Sequence, residues 1–264
     1  MASRAPARIE TLAPRCLPAD TDLPRLGIIA LATDLTIERD APRLVERDEA
    51  VVHVARIPFE NPTTPENLRA MGPNIAAAAA LLVPGAELAA VAFACTSASV
   101  TIHNDFVSGA IAQERSGVPV VTPSSAALAG LKALSARRIA ILTPYLRETT
   151  GPIVNYFEAN DIEVKRAGCF GLADDTDMAR LDPETIIDAA VSLGSADVDA
   201  VFLSCTAMPA LDVIDEIEAR LDKPALCSNQ ATFWAMRGIA GLPPRADAVG
   251  RLFQCPVPDW GIIP

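Results

Sequence analysis

Two short segments of this 264-residue chain put a cysteine in the same local setting. FACTSAS places Cys95 directly after an apolar run and before a helix-compatible stretch, and LSCTAMP does the same for Cys205. A side chain at the carboxyl end of a buried strand points into the crevice where ligands of open α/β sheets sit. The backbone N–H groups that follow, together with a helix start, form a nest for an anion. The same partial positive charge is expected to lower a thiol's pKa and favour the nucleophilic thiolate. Two such thiols would face one small anionic molecule from opposite sides. For either cysteine alone packing is the competing explanation, because Cys is among the most buried residue types. The recurrence of the pair favours chemistry. Cys16, Cys169, Cys227 and Cys255 lack such a counterpart and read as structural or incidental.

Around the pair, Thr96, Ser97 and Thr206 offer hydroxyls beside the nests, with N-capping as the alternative role. Thr33 and Asp34 end the first apolar run, and Tyr145 occupies the matching end in the second half. The Tyr145 hydroxyl can donate to a carboxylate; half-buried packing is the other reading. Ser124 and Asn229 follow later runs and approach the same crevice, Ser124 reading rather as a cap. His103, about two helical turns beyond Cys95, reads as solvated or capping rather than as a base, and His53 has no visible partner. With two histidines and no C-x-x-C, no metal site is expected. G-x-G-x-x-G, Walker A and G-x-S-x-G motifs are absent, so dinucleotide, nucleotide and serine-hydrolase chemistry lose their usual support.

The elements that must position these residues alternate. Short Val/Ile/Leu-rich runs at 26–32, 51–55, 88–94, 118–121, 138–142, 163–168, 198–203 and 225–227 read as buried strands. Helices are expected over 65–82, 99–116, 124–134, 147–159, 183–193, 209–221 and 230–239. Continuous apolar strands covered on both faces mean mainly parallel sheets in an α/β fold. The unit occurs twice. LGIIALAT at 26–33 resembles RIAILTPY at 138–145; AVAFACTSASV at 90–100 resembles AVFLSCTAMPA at 200–210; GVPVVTPSSAALAGLKAL at 117–134 resembles DKPALCSNQATFWAMRGI at 222–239. Order and spacing both hold, which predicts two halves related by a pseudo-two-fold axis, with the site between them. The expected division is a poorly ordered leader over 1–22, a first half of 23–134 plus 240–264, and a second half of 135–239.

Composition narrows the partners. Half the residues are apolar and the net charge is -11, from 33 acidic and 22 basic residues. So acidic a chain lacks the basic footprint of a nucleic-acid binder and suits an anionic membrane poorly. No apolar run approaches a bilayer span, and the N-terminus has no apolar core of a signal peptide. Reduced thiols in a cytoplasmic protein are therefore expected.

Taken together, the duplicated halves, ACTSAS with SCTAMPALDVI, and the TPY segment resemble the aspartate/glutamate racemase superfamily. They are more similar to its branch of maleate cis-trans isomerases, arylmalonate decarboxylases and ectoine-utilisation A proteins. The resemblance covers about 24–254, is strongest over 204–234, and in ATDLTIE at 32–38 is similar to the ectoine-utilisation proteins in particular. It implies a cofactor-free enzyme that uses two cysteines, here Cys95 and Cys205, on a small carboxylate. It also implies carboxylate binding by Thr96, Ser97 and Tyr145, and dimers are common in the superfamily, so a homodimer is compatible. Three departures carry information. Amino-acid racemases of the superfamily carry Asn after the first Cys, where this chain has Thr96. Arylmalonate decarboxylases have Gly in place of the first Cys, which here is Cys95. Maleate isomerases carry a substrate-binding Asn at the first strand end, where this chain has Thr33-Asp34, and Asp34 beside a dianion would repel it unless protonated or turned away. The expectation is a maleate cis-trans isomerase-like enzyme, with a role in ectoine or hydroxyectoine breakdown suggested by the resemblance alone. A racemase/epimerase or arylmalonate-type decarboxylase is the alternative within the superfamily. A non-catalytic small-carboxylate binding protein and a thiol redox protein are the alternatives outside it.

Overall fold

A computed structural model describes residues 7–16, 23–195, 197–245 and 247–258. Of the expected leader, residues 7–16 are exposed and without regular secondary structure, and 1–6 and 17–22 lie outside the described residues. All eight expected strands form, the edge strands β2 and β6 being largely accessible rather than buried: β1 (Arg25–Leu31), β2 (Val51–Ile57), β3 (Ala90–Ala94), β4 (Val120–Val121), β5 (Arg138–Thr143), β6 (Glu163–Cys169), β7 (Ala200–Leu203) and β8 (Ala225–Cys227). They make two parallel four-stranded sheets of identical order, β2-β1-β3-β4 and β6-β5-β7-β8. In each sheet the chain leaves the first strand to one side and returns on the other. The gaps between β1 and β3, and between β5 and β7, are therefore topological switch points, where open α/β sheets bind ligands. The central strands are buried apart from Arg25 and Arg138 at the starts of β1 and β5, and every residue of Ala90–Ala94 is inaccessible.

The helices are α1 (Ile37–Leu44), α2 (Pro65–Ala70), α3 (Ile75–Ala80), α4 (Thr96–Ile102), α5 (Asn104–Glu114), α6 (Pro123–Ala133), α7 (Arg147–Glu158), α8 (Asp175–Met178), α9 (Pro183–Gly194), α10 (Ile214–Leu221) and α11 (Ser228–Ile239). Three of them start alike: Thr64, Thr122 and Asp182 accept the N–H of Asn67, Ser125 and Thr185, with Pro at the first helical position. The helix expected over 65–82 is interrupted at Gly72–Asn74, where Pro73 cannot supply an N–H. The helix expected over 99–116 is two helices, parted at His103, whose φ is 78°. Among the described helices α1 and α8 were not anticipated. In α1, Pro42 obscures the pattern by which Ile37, Ala41 and Leu44 nevertheless meet the core.

Helices α6 and α11 pack against each other across the junction of the halves, and both are buried on nearly all sides. Helix α11 lies on β3 and α1 of the first sheet, while α6 reaches β8 of the second. Gly130 permits that approach, since a Cβ there would stand 3.2 Å from Leu226 and Leu252. The closing segment touches both halves: Arg245 pairs with Glu46 after α1, whereas the N–H groups of Gly250 and Arg251 donate to Asp215 and Glu218 of α10.

Candidate active site

Cys95 follows β3 as the N-cap residue of α4, and Cys205 follows β7. Each therefore stands beside its sheet's switch point, and each is 3% exposed. Between them stands the buried Tyr145 hydroxyl, which acts on Cys205 and would feel either sulfur if it ionised. Cys95 Sγ lies 3.6 Å from Ser97 Oγ and receives the Ala98 N–H. Cys205 Sγ receives the Ala207 N–H at 3.3 Å and also that of Met208. The backbone nests expected behind each sulfur are thus present.

Their expected effect on acidity is overturned. Burial pushes Cys95 up to about 11, with Asp175 and Asp34 adding to the rise and the Ala98 N–H and Ser97 hydroxyl opposing it. Burial pushes Cys205 up to about 12 against the Tyr145 hydroxyl and two N–H groups. Burial, then the two thiols, likewise hold Tyr145 well above its ordinary range. Desolvation of a thiolate outweighs two backbone dipoles in a site this closed, so both sulfurs rest as neutral thiols.

The remaining expected residues frame the site. Thr96 Oγ1 donates to Ser228 Oγ at 2.7 Å, and Thr206 Oγ1 to the Ala94 carbonyl at 3.2 Å. Asn229 Nδ2 donates to Asp40 Oδ2 and to the Thr206 carbonyl, both at 2.9 Å. These bonds tie each cysteine loop to the other half, and they occupy the donors that were expected to face a ligand. Of the side chains expected to face a ligand, Ser97 and Tyr145 lie beside the two sulfurs. Thr33 Oγ1 donates to Asp175. Asp34 accepts the N–H groups of Thr36 and Ile37 through Oδ1, at 2.7 and 2.9 Å. Burial lifts its carboxyl from 3.8 to about 6 despite those bonds, with Asp175 contributing. Ser124 bonds Ser99 and Asn104, and His103 is exposed, so neither reaches the thiols.

Sequence reasoning missed Asp175 and Asn61. The loops after β2 and β6, equivalent in the two halves, meet over the strand ends. Asn61 Nδ2 donates to Asp175 Oδ1 at 2.8 Å and Asp174 Oδ1 at 3.0 Å; the Thr63 N–H donates to the Ala173 carbonyl at 2.7 Å; Thr149 Oγ1 donates to the Thr63 carbonyl at 2.8 Å. The signal was available: a polar residue just past a strand's carboxyl end, the same rule that singled out the cysteines. Among the described residues no group of His, Cys, Asp and Glu is arranged to hold a metal, all six cysteines are free, and no helix is long and apolar enough to cross a membrane.

Comparison with known proteins agrees with this arrangement. The maleate isomerase of Alcaligenes faecalis is 26% identical over 245 residues, covering 87% of this chain and 96% of its own. A Cys-to-Ala variant of the Pseudomonas putida maleate isomerase, solved with maleate, superposes with a TM-score of 0.82 at 27% identity, over 88% of this chain and 98% of that one. A Cys-to-Ser variant of the Nocardia farcinica maleate cis-trans isomerase, solved with a covalently bound succinylcysteine intermediate, gives 0.81 at 26% identity over the same shares. The arylmalonate decarboxylase family profile matches residues 67–253, a stretch that holds both cysteine loops, and the chain belongs to that family.

Proposed function

We propose that this chain is a cofactor-independent cis-trans isomerase of a small unsaturated carboxylate, acting through Cys95 and Cys205. The observation that carries the reading is the pair of equivalent, buried cysteines, one beside the switch point of each sheet. The Cys95 sulfur bonds to one olefinic carbon, and the π pair moves to the other, next to its carboxylate. The sulfur adds from the small ionised fraction of the thiol, its proton having gone to water, with the Ser97 hydroxyl 3.6 Å away to support the thiolate; the sulfur takes a proton back from water once it is expelled. The former double bond now rotates; collapse of the carbanion expels the sulfur and leaves the trans acid. Cys205, on the opposing side, lends a proton to the carbanion and takes it back. Developing charge is held by the N–H groups that follow each cysteine. A succinylcysteine, as trapped in the Nocardia relative, is the product of adding a thiol across maleate.

Proton nuclear magnetic resonance of maleate and related cis-enoates tests this. The wild type should yield the trans acid, and Cys95→Ser and Cys205→Ser should each lose about a thousandfold or more. Full activity in either variant would overturn the assignment; retained ligand binding without turnover in the wild type would favour a binding protein. A racemase would also use two opposed thiols, but it must place solvent deuterium at a stereocentre in D₂O.

The same proposal includes a cytoplasmic location, a homodimer, a role in ectoine breakdown and the absence of a nucleic-acid partner. The location follows from the need to keep Cys95 and Cys205 reduced, the homodimer from the frequency of dimers in the superfamily, the ectoine role from the resemblance at 32–38, and the last from the net charge of -11.

A further inference from the structure

Asp34 has one carboxylate oxygen in use and one to spare. Oδ1 accepts two backbone N–H groups, whereas Oδ2 is buried and has no hydrogen-bond partner among the described residues. The residue is 2% exposed and lies in the loop after β1, the neighbour of the strand that leads to Cys95, close enough that its charge acts on that thiol. Asp175 adds a second carboxylate from the other half, and it too acts on Cys95. The arginine that acts on Asp34, Arg56, turns its guanidinium to the carbonyls of Leu31, Ala32 and Asp34 and to Glu38, away from Oδ2. A buried carboxylate oxygen without a donor is costly, and one beside a reactive thiol invites a donor from the ligand.

From this we infer that Asp34 selects the substrate: the end opposite the reacting carboxylate carries a cationic nitrogen, so the site takes a zwitterionic cis-enoate in preference to a dicarboxylate dianion. The inference rests on the isomerase reading above. A dianion would bring its second carboxylate against Asp34 and Asp175, whereas an ammonium or amidinium group would satisfy Oδ2 and leave the other end to the backbone N–H groups, Ser97 and Tyr145. The chemistry is unchanged. Sulfur adds to the carbon β to the one carboxylate, the carbanion forms α to it, and rotation and expulsion follow.

The test compares cis-4-aminocrotonate with maleate in the wild type and in Asp34→Asn, which keeps the Oδ1 acceptor. The wild type should favour the aminocrotonate by roughly tenfold or more in kcat/KM, and the variant should bring the ratio to about one or below. A wild-type preference for maleate overturns the inference even if the variant does not fold, and so does a ratio unchanged by the substitution. Calorimetry with the saturated analogues 4-aminobutanoate and succinate separates this result from the isomerase reading. Preference for 4-aminobutanoate that Asp34→Asn abolishes, without isomerisation of either enoate, sustains charge selection and refutes the isomerase. Isomerisation without charge preference does the reverse. Binding and turnover of none of the four compounds refutes both.

Discussion

Asp34 should cost the fold stability that an asparagine would restore, and the cost should depend on pH. Its carboxyl is lifted from 3.8 to about 6, first by burial and then by Asp175. At ~1.4 kcal/mol per pH unit, ionising it in the folded state costs about 3 kcal/mol. The sign follows from proton uptake. The folded chain holds this proton more tightly than the unfolded chain, so below pH 3.8 the group is neutral in both states and costs nothing. As pH rises from there to about 6 the cost accumulates, and above that it is fully present. With an unfolding entropy of ~2.1 cal/mol/K per residue, about 3 kcal/mol corresponds to roughly 5 °C in Tm for a chain of this length. Asp34→Asn should therefore melt about 5 °C above the wild type at pH 8, relative to the gap between them at pH 4. Any constant cost of the new amide cancels in that difference. Paired calorimetric melts across this range measure it, and a gap that does not change with pH would refute the reasoning that the carboxylate is charged and desolvated.

Other outcomes follow from the same contacts. Because burial holds Cys95 near 11, raising pH from 7 to 8 should speed its alkylation by iodoacetamide about tenfold, read by peptide mass spectrometry; a flat profile would mean that an already ionised thiol, or access alone, limits the reaction. Tyr145→Phe removes the hydroxyl shared by Cys205 and Ser97 and should lower kcat/KM about 10- to 100-fold with the melting temperature little changed; unaltered kinetics would reduce Tyr145 to packing. Gly130→Ala pushes a methyl group against Leu226 and Leu252 and should destabilise by about 1–3 kcal/mol in denaturant titration, whereas a neutral effect would show that α6 can move off β8.

The parts legible in the sequence were those governed by local pattern. The central strands announce themselves as apolar runs, whereas the edge strand β6 is charged and largely exposed, and the internal repeat places Cys95 and Cys205 at equivalent ends. Helix boundaries slipped where one residue overrides periodicity, at Pro73 and His103. The thiol acidity was misjudged because dipoles are readable from a motif, whereas desolvation depends on what covers it. The loops that cover it, around Asn61 and Asp175, come from opposite halves, and their meeting is a long-range fact that neither segment states alone. The same holds for Thr96, Thr206 and Asn229. Their types suggest ligand contacts, whereas their bonds to Ser228, Ala94 and Asp40 of the other half are visible only in the folded chain.

The most direct test of the account is to find where a substrate becomes attached. Cys205→Ser, incubated with maleate and in parallel with cis-4-aminocrotonate, should retain one added acid on the peptide containing Cys95, and Cys95→Ser should retain none. Attachment spread over exposed Cys16 and half-buried Cys169 and Cys255, or absent from Cys95, would contradict the claim that the two buried thiols act on a single bound molecule.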